Sequence, residues 1–487
     1  MKKILFVASE GVPFIKTGGL ADVVGSLPKC IDKNYFDVRV VLPKYTCMSQ
    51  EMKDKMSYVT HFYMDFHWKN EYVGVLYAEV DGVKYYFIDN EMFFNGFKPY
   101  SDNALFEIEK FAFFSKAALS ILPVIDFRPD VIHCHDWQTG LIPVYLKERF
   151  QGSEFYRGIK TVMTIHNLKF QGKWGIQEVK DITGLPDYFF TSDKLELYKD
   201  ANLLKGGLVY ADAITTVSQT YADEIKTPFY GEQLDGLLRA RSNDLRGIVN
   251  GIDYDQFNPE TDPYIPYHYN AVNFRKEKVK NKRALQEELE LAKEDKRFMI
   301  GIVSRLTDQK GFDLITYMMD ELCQDSVQIV VLGTGEERYE NMFRHFDWKY
   351  NDRVSANIYY SEALSHKIYA ACDAFLMPSL FEPCGLSQMI AMRYGAVPIV
   401  RSTGGLADTV RSCQVGQEDG NGFVFADYSA FDMQYVISQA VNLYRTDIHR
   451  FRQVQKRGMT DDFSWDASAG AYESLYQHIT GQTRSSK

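Results

Sequence analysis

The chain has 487 residues, enough for two large α/β domains or about three of ordinary size. With 45% hydrophobic and 25% charged residues it has a globular makeup, which excludes wholesale disorder and fibrous repeats. Lys+Arg number 55 against 65 Asp+Glu, and the resulting net charge of -10 argues against binding duplex nucleic acid or an anionic membrane and points to a small or neutral partner.

At the amino end, the apolar run Ile4–Ser9 breaks at Glu10, too short for a secretory signal. No apolar stretch reaches the roughly 18 residues of a membrane span, so a soluble, cytoplasmic chain is expected. Seven cysteines without a C-x-x-C pair indicate neither a disulfide framework nor a zinc ribbon. His133-Cys134-His135 has metal-like residue types, but on a strand the middle side chain points away from its neighbours, so three ligands cannot converge and no metal site is expected.

Short β-branched runs predict strands at Ile4–Ala8, Val38–Leu42, Lys84–Ile88, Val131–Cys134, Thr161–Ile165 and Ala213–Val217, with a helix over Ile108–Leu122. That alternation reads as a doubly wound parallel sheet. A second series follows at Met299–Val303, Val327–Leu332, Ala374–Met377, Val397–Val400 and Gly422–Phe425. Two such sheets predict two domains, 1–248 and 249–487, divided by the turn and linker chemistry of Asn250–Asp253 and Asn258–Asn270. From about residue 430 the chain reads as helical, and its charged end, Arg484–Lys487, is expected to fray.

The first strand runs into Lys16-Thr17-Gly18-Gly19-Leu20-Ala21-Asp22. Paired glycines allow close backbone approach, a following helix start offers N–H groups, and Lys16 adds a charge, so the turn is either a phosphate site or simply tight. The same T-G-G-L-A-D recurs at Thr403–Asp408, again between a strand and a helix. Two such turns in different halves suggest that each brings a helix end to one sugar diphosphate, although an echo of duplicated domains produces the same pattern. In the second half, Arg305 and Lys310 share one loop, with a rigid fork and a compact point charge suited to phosphate oxygens. Glu382, followed by the N–H groups of Cys384, Gly385 and Leu386 at a helix start, can grip sugar hydroxyls with acceptor and donors together.

K-T-G-G-L-A-D-V, H-D-W at His135–Trp137, T-I-H-N-L at Thr164–Leu168, N-G-I-D at Asn250–Asp253, S-R-L-T-D-Q-K-G at Ser304–Gly311, F-E-P-C-G-L at Phe381–Leu386 and T-G-G-L-A-D-T-V at Thr403–Val410 closely resemble bacterial glycogen synthases and plant starch synthases. The motifs occur in order across nearly the whole chain. The resemblance implies a GT-B fold, two Rossmann-like domains facing across a cleft, and retaining transfer of glucose from ADP-glucose to the non-reducing end of an α-1,4-glucan (glycogen, starch or a maltooligosaccharide), with no other cofactor and no metal. It also implies that Lys16, Gly18, Gly19 and Thr403–Gly405 approach the phosphates while Arg305 and Lys310 neutralise the departing diphosphate. Tyr360 would stack on adenine, Glu382 with Cys384–Leu386 would hold glucose hydroxyls, and His166 would face the reacting sugar with Asp136 and Asn167 nearby. Asn250 belongs to the implied substrate set. One segment departs from the family: Phe93–Asp102 lacks the usual Tyr-Gly element, and Tyr100 is the aromatic that stands in its neighbourhood. Two alternatives stay open at this stage, a UDP-glucose-dependent GT-B enzyme and a non-catalytic glucan-binding protein.

Overall fold

A computed structural model of the chain describes residues 1–324, 327–413 and 419–481 and divides into two compact units; the charged end Arg484–Lys487 lies outside the described residues.

In the first unit, among the described residues, nine strands form one sheet in the order Leu245–Gly247, Ala213–Thr216, Lys160–Ile165, Val131–His135, Lys2–Val7, Phe36–Pro43, Val83–Asp89, Lys69–Val80 and Ser57–Phe66. The strands from Leu245–Gly247 to Val83–Asp89 pair in parallel. Their apolar runs follow from burial on both faces: Ile4, Leu5, Phe6, Val7, Val131, Ile132, Val162 and Met163 are wholly inaccessible to solvent. The purely parallel sheet expected from the sequence is modified at one edge, where Ser57–Phe66 and Lys69–Val80 add as antiparallel strands. The signal there is a period of two: Met64 and Phe66 turn inward onto the helix Ala104–Ser120, where Phe66 meets the Phe113 ring edge-on, while His61, Tyr63 and Asp65 stay exposed. That helix begins where Asn103 accepts the Phe106 N–H at 3.1 Å, a side-chain cap that satisfies one orphan donor.

The second unit holds, among the described residues, a six-stranded sheet in the order Val354–Asn357, Val327–Leu332, Phe298–Val303, Ala374–Met377, Val397–Arg401 and Phe423–Phe425. Every pairing in it is parallel. Ile300, Ile329 and Ile399 pack in one core with Phe312, Ile315, Met433 and Phe451 from its helices.

The division between the domains is corrected in two places. The first unit comprises Met1–Val217 and Ala222–Gly251 and takes back the chain from Trp465, so the carboxyl-terminal helix Trp465–Ile479 does not belong with 249–487. Its aromatic face explains why: Tyr472 and Tyr476 are buried, Tyr476 OH lies 2.7 Å from His133 Nδ1, and Glu473 accepts the Asp32 N–H at 2.8 Å. Conversely, Ser218–Tyr221 joins the second unit, where the Asp408 carboxylate accepts from the backbone of Gln219 at 2.7 Å and of Thr220 at 3.1 Å. Among the described residues no helix is long and apolar enough to cross a membrane.

Candidate active site

In both units the residues singled out by the sequence gather where parallel strands end at their carboxyl edges, the place where α/β sheets bind ligands. In the first unit, Lys2–Val7 leads to Lys16 and the helix Gly19–Cys30, Val131–His135 ends against Asp136, and Lys160–Ile165 ends against His166. In the second, Phe298–Val303 leads to Arg305 and Lys310, Ala374–Met377 to Glu382, and Val397–Arg401 to Thr403.

A buried carboxylate organises the first glycine turn. Glu10 Oε2 accepts the Thr17 N–H at 2.5 Å and the Gly18 N–H at 3.3 Å, and Glu10 Oε1 accepts from Thr17 Oγ1 at 2.8 Å and from Tyr100 OH at 2.9 Å. Burial raises the Glu10 carboxyl above its ordinary value even though these donors pull it down. Two N–H groups of the turn, ahead of the helix Gly19–Cys30, are therefore held by a side chain of the same unit. Lys16 Nζ lies 2.7 Å from Asp22 Oδ1 and keeps 39% of its side chain exposed. Gly18 is extended, and a Cβ placed there would meet nothing within 4 Å, so its approach side is open. Tyr100, from the segment that departs from the family pattern, joins this turn through Glu10 and through Ser9 Oγ at 2.8 Å.

Beside it, Asp136 adopts φ 56°, a conformation that strains a residue with a side chain and that recurs at functional sites. Its Oδ1 accepts the His166 N–H at 2.8 Å, and the Asn167 N–H bonds to the same carboxylate. Burial still dominates and pushes the Asp136 carboxyl up to about 7. Asn167 turns its own Oδ1 to the Lys169 N–H at 3.1 Å. His166 Nε2 lies 3.0 Å from His135 Nδ1, and the His135 ring stacks on His133 with centroids 4.2 Å apart. Desolvation pulls all three imidazoles down, His133 and His166 to about 3, so they are neutral near pH 7. Among the described residues no group of three or more His, Cys, Asp or Glu is arranged to hold a metal ion.

In the second unit Lys310 Nζ donates to Glu382 Oε2 at 2.6 Å, and Ser379 Oγ donates to the same oxygen at 3.0 Å. Glu382 is buried and Lys310 nearly so, whereas Arg305 is exposed. The loops carrying them interlock through glycines. Gly311, at φ 74°, passes so close to Pro378 that a Cβ would lie 2.0 Å from the Pro378 carbonyl oxygen. At the second T-G-G copy, a Cβ on Gly404 would lie 1.9 Å from the Glu382 carbonyl oxygen and one on Gly405 1.9 Å from that of Cys384. The Gly405 N–H donates to the Glu382 carbonyl at 3.1 Å. The two T-G-G-L-A-D turns thus differ physically: the first is open above Gly18, whereas the second seats the Glu382–Cys384 loop. The helix Gly404–Thr409 has only six residues, which limits the dipole it can offer.

The remaining residues fall as follows. Cys384 is buried, Gly385 takes φ 69°, and Leu386 precedes the helix Ser387–Arg393. Thr403 is buried at the start of Gly404–Thr409, and Tyr360 is 83% exposed, which excludes a core role for it. Asn250 is buried in the first unit with its Oδ1 unpartnered among the described residues. Sequence reasoning missed Glu10, His135, Ser379 and Arg401. Arg401 Nε donates to the Ser379 carbonyl at 2.8 Å, and its Nη2 donates to that of Leu380, fixing the loop ahead of Glu382. An arginine closing an apolar buried strand was the available signal.

With this geometry in hand, similarity to known proteins is decisive. Residues 3–240 match the family described as starch synthase catalytic domain, and residues 285–455 match glycosyl transferases group 1. The glycogen synthase of Lachnospira eligens is 67% identical over 479 residues, covering 98% of this chain and 100% of its own length. That of Lachnoclostridium phytofermentans is 63% identical over the same shares. The chain belongs to the glycogen synthase family. Among solved structures, the catalytic domain of starch synthase IV from Arabidopsis thaliana, bound to ADP and acarbose, superposes with a TM-score of 0.92 at 33% identity, covering 99% of this chain and 100% of that one. Membership in the glycogen synthase family makes the chain a glycosyltransferase, and its two Rossmann-like units are those of the GT-B class.

Proposed function

We propose that the chain transfers glucose from ADP-glucose to the non-reducing end of an α-1,4-glucan, with retention of configuration, in the cytoplasm. The observation that carries the reading is the coupling of a cation to a buried carboxylate, Lys310 on Glu382, at the same sheet edge as Arg305. Support comes from the glycogen synthases at 67% and 63% identity and from the ADP and acarbose bound to starch synthase IV. Among the described residues none of the seven cysteines forms a disulfide, in keeping with a reducing compartment.

In this reading Arg305 and Lys310 stabilise negative charge as the diphosphate departs, and Lys16, beside the open side of Gly18, is a phosphate-directed cation of the first unit. Glu382 orients Lys310 with one oxygen and offers the other to glucose hydroxyls, while Tyr360 supplies an exposed ring for adenine. His166 and Asn167 meet the reacting sugar, and Asp136 holds their backbone in place. The departing phosphate oxygen takes the proton of the acceptor hydroxyl on the same face, so Glu382 forms no covalent intermediate. Incubation with labelled ADP-glucose and glycogen tests the reaction. Label is expected in precipitated polymer, and release of free labelled glucose without polymer would contradict it.

A further inference from the structure

His135 Nδ1 and His166 Nε2 lie 3.0 Å apart, so one of the two nitrogens carries the shared proton. Which one is decided by the far side of His135. That side chain is fully buried, stacked against Phe6 with centroids 5.5 Å apart and against His133 at 4.2 Å, and its Nε2 has no hydrogen-bond partner among the described residues. A buried N–H without an acceptor is more costly than a buried lone pair without a donor. Nε2 of His135 is therefore bare and its proton sits on Nδ1. His133 cannot alter this, because its own nitrogens are engaged by Tyr476 OH at 2.7 Å and Thr164 Oγ1 at 2.5 Å.

We infer that His135 is a positioning residue, which donates from Nδ1 to Nε2 of His166 and so locks His166 in the tautomer that carries its proton on Nδ1. His166 then presents an N–H donor to a sugar oxygen, and its Nε2, already accepting, cannot serve as a general base. Both rings being neutral near pH 7, tautomer rather than charge is what the contact controls. The backbone supports the arrangement: the His135 N–H donates to Thr139 Oγ1 at 2.7 Å, and the His166 N–H is held by Asp136. The inference rests on the proposed placement of His166 at the reacting sugar.

Long-range nitrogen–proton NMR of the chain with nitrogen-labelled histidines reads the tautomer directly, the His166 signals being assigned by their loss in His166→Asn. The wild type is expected to show His166 protonated at Nδ1 and bare at Nε2. His135→Phe keeps a ring but removes the donor. It is expected to release His166 toward the other tautomer and to lower kcat about tenfold, the scale of one lost hydrogen bond to a buried group, with donor KM little changed. His135→Asn, whose amide nitrogen reaches the position of Nδ1, is expected to restore most of the loss; if His135→Phe fails to fold, the wild-type spectrum and His135→Asn decide. A wild-type His166 protonated at Nε2 would overturn the inference, as would wild-type kcat and an unchanged tautomer in His135→Phe. Absence of polymer synthesis by the wild type would instead refute the proposed function and leave the tautomer measurement to stand on its own.

Discussion

Lys310 Nζ donates to Glu382 Oε2 at 2.6 Å, which ties the loop after Phe298–Val303 to the loop after Ala374–Met377, the first proposed to serve phosphate and the second sugar. Either residue alone therefore has two duties, and removing one misplaces the other. Lys310→Ala and Glu382→Ala are each expected to lower kcat by about 100-fold or more, with smaller changes in donor KM, because the charge matters most as the diphosphate leaves. The double variant is expected to lose much less than the product of the two, and steady-state kinetics on the four proteins checks this.

The two T-G-G turns are expected to respond oppositely to the same substitution. Gly18→Ala has open space and extended backbone, so thermal stability is expected to stay near wild type while donor KM rises. Gly404→Ala places a Cβ 1.9 Å from a carbonyl oxygen at φ 46°, and a loss of about 2 kcal/mol or more is expected. Denaturant melts of both variants, alongside kinetics of the first, test the contrast.

Glu10 is the acceptor for the backbone of Thr17 and Gly18, and removing it leaves those donors unmatched and Tyr100 OH with Ser9 Oγ as its remaining partner. Glu10→Ala is expected to destabilise the first unit by about 2–3 kcal/mol, with Glu10→Gln losing less because one acceptor oxygen remains. Urea unfolding gives both values.

The pH dependence of stability follows from Asp136. Burial raises its carboxyl from 3.8 to about 7, so between those values the folded chain holds a proton that the unfolded chain releases. This group's contribution consequently falls as pH rises through that window. Asp136→Asn, which keeps an oxygen acceptor for the His166 N–H, is expected to gain stability relative to wild type on going from about pH 5 to about pH 7.5. Paired urea melts at the two values check the sign.

Much of this was legible in the sequence. The β-branched runs marked the buried parallel strands because burial on both faces admits little else, as at Val327–Leu332. Edge strands were harder: in Ser57–Phe66 six of the ten residues are exposed, so the run is not continuously apolar. The return of Trp465–Ile479 to the first unit was not readable, since helical periodicity gives an apolar face but not the surface that buries it. Around the candidate site, motif residues such as Lys310 and Glu382 stood out in the sequence because their types suit phosphate and sugar. Their partnership was not, because they are 72 positions apart. Glu10 and His135 were passed over for a related reason, as both act on neighbours through contacts that only the fold creates.

The most direct test of the central claim compares kcat/KM for labelled ADP-glucose and UDP-glucose with glycogen as acceptor, counting label in precipitated polymer. The account expects efficient incorporation and a clear preference for ADP-glucose. Equal or greater kcat/KM with UDP-glucose, or no incorporation from either donor, would contradict it.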